Sequence, residues 1–191
     1  MILRLKDERE RFTMEKILKK ILIDKETLQK RISELAAELD REYEGKTPVM
    51  VCVLRGSVYF YSDLTRAMKT NVEMDFMAVS SYGNGFESTG DIRIKKDLDT
   101  DIEGRDVIIV EDIVDSGNTM HKLREELLKR KPASLKVVTL LNKASRRVVD
   151  VKVDYVAFEI PDEFIVGYGL DFKNVYRNIE EVGVLKEEYY R

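Results

Sequence analysis

Glu111 and Asp112 stand side by side, and Asp115 follows three residues later. They lie in the string VIIVEDIVDSGNTM, residues 107–120. Adjacent carboxylates suit the vicinal 2′ and 3′ hydroxyls of a ribose. Residues 115–119 (DSGNT) form a small polar turn leading into helix-like sequence. Backbone amides at a helix start, the helix dipole and the hydroxyls of Ser116 and Thr119 all suit a phosphate monoester. Gly117 lets the backbone come close. DSGN alone would be an ordinary turn with a helix cap. The order of apolar strand, acid pair, small turn and helix points instead to a sugar phosphate. It is not a Walker loop, since no Gly-Lys-Ser/Thr is placed as that loop requires, and it is not a dinucleotide fingerprint.

The remaining elements must position these groups. Residues 49–54 (VMVCVL) and 107–110 (VIIV) are uninterrupted apolar runs, which is how strands buried on both faces of a parallel sheet read. Glu111 and Asp112 then sit at the carboxyl end of a strand, where ligands bind in open parallel sheets. Residues 72–81, 136–141, 153–160 and 182–185 read as further strands, and residues 92–94 as a short pairing segment. Leu28, Ile32, Leu35 and Leu39 form one face of an amphipathic helix, with Asp24 as its cap. Helical stripes also follow Ser57 and Thr119. Alternating strands and helices imply an α/β fold with a mostly parallel central sheet flanked by helices. The expected organisation is one domain with a core over 31–154. A small cap is expected from the N- and C-terminal segments, 14–30 and 155–191. Residues 81–96 are glycine-rich and polar at their centre and read as a functional loop.

The chain has 191 residues, a net charge of −3, 43% hydrophobic and 36% charged residues. That balance gives no basic footprint for nucleic acid and no cationic face for a membrane. No apolar run approaches a membrane span. The N-terminus is charged from Arg4 to Arg11 with no apolar run behind it, unlike a signal peptide. The lone Cys52 excludes an internal disulfide and fits a cytoplasmic location.

With these strings in place, the chain resembles the type I phosphoribosyltransferases, most closely bacterial enzymes for hypoxanthine or guanine. The resemblance rests on residues 107–120 together with VLRGS (53–57), SSYG (80–83), LLNKA (140–144) and FEIPDEFIVGYGLDFKNVYR (158–177). It implies Mg²⁺-dependent transfer of a phosphoribosyl group from 5-phosphoribosyl-1-pyrophosphate to a 6-oxopurine. It implies ribose contacts from Glu111 and Asp112. Residues Asp115, Ser116, Gly117, Asn118 and Thr119 would hold the 5′-phosphate, with Asp115 also the general acid/base. Lys143, Phe164 and Ile165 would meet the purine. Arg55, Gly56 and Arg177 would bind pyrophosphate, and Ser81 and Tyr82 would belong to a closing lid. Asp171 would ligate the metal, with Glu111 and Asp112 as further candidates. A homodimer or homotetramer is also implied. Arg55 and Ser57 depart from the common Leu-Lys-Gly-Gly loop, so reduced backbone freedom is expected at 57. Two rival readings are a phosphoribosyl-pyrophosphate-binding regulator and a xanthine-preferring transferase. The first would be expected to lack Asp115 or Lys143, or to carry a basic patch. Both residues are present.

Overall fold

The computed structural model describes residues 16–81 and 92–190. Residues 1–15, Tyr82 and the central part of the expected lid (82–91) lie outside the described residues, and Ser81 closes a strand. In chain order the elements are β1 (Leu18–Ile23), α1 (Lys25–Glu42), β2 (Val49–Leu54), α2 (Val58–Ala67), β3 (Glu73–Ser81) and β4 (Ile92–Lys96). They continue with β5 (Asp106–Val114), α3 (Asn118–Leu128), β6 (Ser134–Asn142), β7 (Tyr155–Glu159), β8 (Ile165–Val166) and β9 (Val182–Leu185).

Six strands form the main sheet in the order β4–β3–β2–β5–β6–β7. Every neighbouring pair is parallel except β3–β4. Cores lie on both faces, which is why the central strands are apolar throughout. Leu28, Ile32, Leu35 and Leu39 of α1, with Phe60 and Leu64 of α2, pack on Met50, Cys52, Ile108 and Val110. Met120, Leu123 and Leu127 of α3 cover Val49, Val51, Val107 and Ile109. The α1 cap is as expected: the Asp24 carboxylate accepts from Thr27 N–H at 2.7 Å, which satisfies one of the free amides of the first turn.

From β2 the chain moves outward to β3 and β4, then returns to place β5 on the other side of β2. The strand order therefore reverses between β2 and β5, and ligands of such sheets bind in the crevice at that reversal. The last β2–β5 pair is Cys52 with Val110. Beyond it the two strands part, and the loops after them face each other.

Two expectations need correction. The strand does not end at Val110, because β5 continues to Val114 through hydrogen bonding to β6. Ile108, Val110 and Ile113 nevertheless pack against the same core, while Val107, Ile109 and Val114 pack against the other. The odd step from Val110 to Ile113 breaks the two-residue alternation at Glu111 and Asp112. The cap boundaries also differ. Tyr155–Glu159 forms the edge of the main sheet, and residues 25–30 belong to α1. The small second sheet is β1–β9–β8, antiparallel throughout.

Candidate active site

Asp115 lies just beyond β5, and the turn from it leads into α3 at Gly117, whose φ is 88°. A side chain on Gly117 would meet the Val149 carbonyl oxygen at 2.6 Å, so glycine is required for conformation and for space. Amides of Val148 and Val149 donate to the Ser116 carbonyl at 2.9 and 3.2 Å. The turn is thus held from the following loop, with the amino end of α3 directed into it.

Lys143 follows directly on β6 and is buried, an uncommon position for an ammonium. Its backbone N–H donates to Val114 O at 3.0 Å, which ties it to the end of β5. Its Nζ donates to the Glu163 carbonyl at 2.8 Å. It lies 4.0 Å from Asp115 Oδ2 and 3.8 Å from Asp162 Oδ1. Arg146 bridges the same two acids, with Nε 3.4 Å from Asp115 Oδ1 and Nη1 3.3 Å from Asp162 Oδ1. The Arg146–Asp115 contact has the distance of an ion pair but not the alignment of a hydrogen bond. Asp115, Lys143, Phe164 and Ile165 share one cavity of about 480 Å³ with Ile113 and Leu170. That size and its mixed apolar and charged lining suit a small aromatic ligand.

Glu111 and Asp112 keep part of their surface open to the crevice. Enclosure by protein still pushes the Glu111 carboxyl well above its usual range, with the Asp112 charge adding to the effect. Burial also raises Asp112, against hydrogen bonding from Glu111 and Ile113 and the charge of Arg177. The backbone of the β2–α2 loop lies directly on Asp112. A methyl on Gly56 would fall 1.5 Å from Asp112 Oδ2, and one on Gly169 would fall 1.9 Å from the Gly56 carbonyl oxygen. The Leu54–Arg55 peptide bond is cis.

A chain of contacts joins this loop to the C-terminal half. Arg55 Nη1 donates to Asn174 Oδ1 at 3.5 Å, and Asn174 N–H donates to Asp171 Oδ2 at 2.7 Å. Asp171 Oδ1 pairs with Arg177 Nη2 at 2.6 Å. Arg177 Nη1 donates to Gly169 O at 2.6 Å. Both Asp171 oxygens thus have protein partners, and no group of three or more His, Cys, Asp or Glu poised for a metal occurs among the described residues.

The reduced freedom expected at Ser57 has no consequence. Its φ of −74° is open to any residue, and its buried hydroxyl donates to Val53 O at 2.5 Å. The sequence reading did not single out Gly169, Asn174, Arg146 or Tyr190. Only Gly169 carried a local signal, as a glycine inside an apolar segment.

A family model described as the phosphoribosyl transferase domain matches residues 20–173. The chain belongs to the phosphoribosyl transferase family. A hypoxanthine-guanine phosphoribosyltransferase of Streptococcus thermophilus is 51% identical over 177 residues, covering 93% of this chain and 98% of that protein. The Bacillus subtilis protein of the same name is 51% identical over 173 residues, covering 91% and 96%. A crystal structure of a hypoxanthine phosphoribosyltransferase from Staphylococcus aureus superposes with a TM-score of 0.91 at 47% identity, covering 94% and 97%. This phosphoribosyltransferase is an enzyme, and its mostly parallel sheet flanked by helices is the fold of its family. No helix among the described residues is long and apolar enough to cross a membrane.

Proposed function

We propose that this phosphoribosyltransferase moves the 5-phosphoribosyl group of 5-phosphoribosyl-1-pyrophosphate onto hypoxanthine or guanine. The products are IMP or GMP and pyrophosphate, and the role is purine salvage in the cytoplasm. The observation that carries this reading is the buried Lys143 ammonium. It is held by the Glu163 carbonyl and shares one cavity with Asp115 and Phe164. An ammonium is a donor only, so it meets the O6 acceptor of a 6-oxopurine. A 6-aminopurine would set donor against donor and leave buried polar groups unpaired.

In this reading the base lies on the Phe164 ring, and the Ile165 backbone meets its edge. The base nitrogen bonds to ribose C1 as the bond to pyrophosphate breaks. Asp115 takes the N7 proton that the base must lose. Glu111 and Asp112 accept from the ribose hydroxyls. Residues 115–119 hold the 5′-phosphate, and Arg55, the Gly56 backbone and Arg177 hold pyrophosphate, where guanidinium groups suit charged oxygens. Developing positive charge at C1 is stabilised by the nearby carboxylates.

Mg²⁺ fits the donor set. Glu111 and Asp112 are enclosed carboxylates whose ionised forms a cation would favour, and their oxygens are hard ligands. Mg²⁺ takes one or two carboxylates together with substrate phosphates rather than a protein cage. Asp171, with Glu111 and Asp112 as further ligands, would hold it. When bound it would neutralise the pyrophosphate leaving group. We assign a homodimer or homotetramer, which sedimentation would test.

The deciding assay is ultraviolet detection of nucleotide with phosphoribosyl pyrophosphate, Mg²⁺ and hypoxanthine, guanine, xanthine or adenine in turn. Hypoxanthine and guanine should react, adenine should not, and a chelator should stop turnover until Mg²⁺ is restored. Absence of product from both hypoxanthine and guanine would refute the proposal.

A further inference from the structure

We infer that Tyr190 is a positioning residue that fixes Phe164 as the platform on which the base stacks. The inference rests on the base-pocket reading above. The Tyr190 and Phe164 rings are stacked, with centroids 4.8 Å apart and planes 19° from parallel. Phe172 meets the same Phe164 ring nearly edge-on, at 5.5 Å and 87°. Both are favoured aromatic geometries. Tyr190 stacks on Phe164, and Phe172 packs perpendicular to it. Phe164 nevertheless remains 37% exposed and lines the cavity that holds Asp115 and Lys143. Tyr190 lines the same cavity beside it, and the exposed part of the Phe164 ring is where a planar base would stack.

Tyr190 is itself anchored. Its N–H donates to Glu187 O at 3.1 Å, and Lys186 N–H donates to Ile17 O at 3.0 Å. Lys186 Nζ donates to the Lys16 carbonyl at 2.7 Å. Tyr189 and Tyr190 pack on the cluster of Ile17, Leu18, Val166 and Leu185. The β1–β9–β8 sheet thereby acts on the base site through one ring. An exposed Phe in a loop would otherwise change rotamer freely, and the base would have to order it on binding. A ring already clamped removes that ordering from the binding step, so the effect belongs in base affinity and not in the chemical step.

The test compares Tyr190→Ala, Tyr190→Phe and Phe164→Ala in full-length enzyme with Mg²⁺. Tyr190→Ala should raise the KM for the base about tenfold. The kcat at saturating base and the KM for phosphoribosyl pyrophosphate should stay within about twofold. Tyr190→Phe, which keeps the ring, should restore the base KM. The protein has no tryptophan, so Tyr190→Trp supplies a single reporter whose fluorescence GMP should alter. Several results would overturn the role of Tyr190. One is an unchanged base KM in Tyr190→Ala while Phe164→Ala raises it. Another is a lower base KM, which would mean that Tyr190 occupies the place of the base. A joint loss in kcat and both KM values would indicate a purely structural role, and a tryptophan signal indifferent to GMP would also count against it. An unchanged base KM in Phe164→Ala would instead remove the base-pocket reading.

Discussion

Replacing Gly169 with alanine should damage the site through backbone contact alone. Gly169 has a φ of 103°, and its added methyl would lie 1.9 Å from the Gly56 carbonyl oxygen. Ordinary contact begins near 3.4 Å, so the two loops must separate by about 1.5 Å, the difference between those distances. Left-handed backbone costs an alanine about 1–2 kcal/mol. Steric relief adds to this, for a total loss of about 2–4 kcal/mol, within the range of special-φ and overpacking mutations. At about 2–4 °C per kcal/mol for a chain of this size, Tm should fall by roughly 4–16 °C. The Gly56 backbone also rests on Asp112, so the shift is transmitted to the acid pair. A misplacement of about 1 Å at a reacting centre can cost about 10²-fold, so kcat/KM for phosphoribosyl pyrophosphate should fall by that order. Gly45→Ala is the control. Gly45 also has a positive φ, 73°, but meets nothing within 4 Å. It should lose about 1 kcal/mol or slightly more, with kcat/KM unchanged. Thermal melts and steady-state kinetics on both variants decide the matter. If Gly169→Ala behaves like Gly45→Ala in both measurements, the proposed coupling of the two loops is wrong.

Three further outcomes are expected. Asp115→Ala should lower kcat by about 10²–10⁴ while nucleotide affinity changes little; an unchanged kcat in single-turnover assays would remove Asp115 from proton handling. Lys143→Met should raise the KM for hypoxanthine by roughly tenfold to a hundredfold, the worth of a charged hydrogen bond. It should also narrow the preference for 6-oxo over 6-amino bases, and retained discrimination would place selectivity elsewhere. Asp75 gives a pH prediction for stability. Burial pushes its carboxyl up, but amides of Thr100 and Phe76 outweigh that and hold it below its usual range. The donors are Phe76 N at 2.7 Å, Asp99 N at 3.0 Å and Thr100 N at 2.8 Å. A folded-state value below the unfolded one contributes stability above the unfolded value, about 3.9. That contribution is lost as pH falls through the folded value. Asp75→Asn should therefore cost about 1–3 kcal/mol at pH 7 and flatten the acid limb of stability in urea titrations. An acid limb identical to the wild type would refute this.

What could be read from the sequence was local. The strands at Val49–Leu54 and residues 107–110 announced themselves because burial on both faces demands unbroken apolar runs. The α1 helix did so through its 4-3-4 spacing and Asp24. The acid pair, the Gly117 turn and the start of α3 fall in one contiguous string, so the sugar-phosphate side of the site was visible as a unit. Elements defined by distant partners were not. β1 pairs with β9 across most of the chain length, and nothing in LKKILI names that partner. YVAFE reads as cap because its residues are only half-buried at a sheet edge. Tyr190 has no motif around it, and its role exists only through the ring it stacks on.

The error at Val110 shows why composition misleads at an active site. A strand was expected to stop where apolar residues stop. Hydrogen bonding to β6 does not depend on side chains, so β5 runs on while its side chains change character. Alternation is broken at the point where β2 no longer accompanies β5. Below that point both flanks of β5 are filled and its side chains must be apolar. Above it one flank opens into the crevice, and Glu111 and Asp112 can be charged without being sealed in a core. The Arg55–Ser57 loop, Gly169 and Arg177 converge on the same opening. The acid pair is therefore placed by the reversal of strand order between β2 and β5, and its carboxylates depend on loops more than 50 residues away on either side. For this reason the Gly169 substitution, far from the acid pair in sequence, is the sharper probe of how the site is held together.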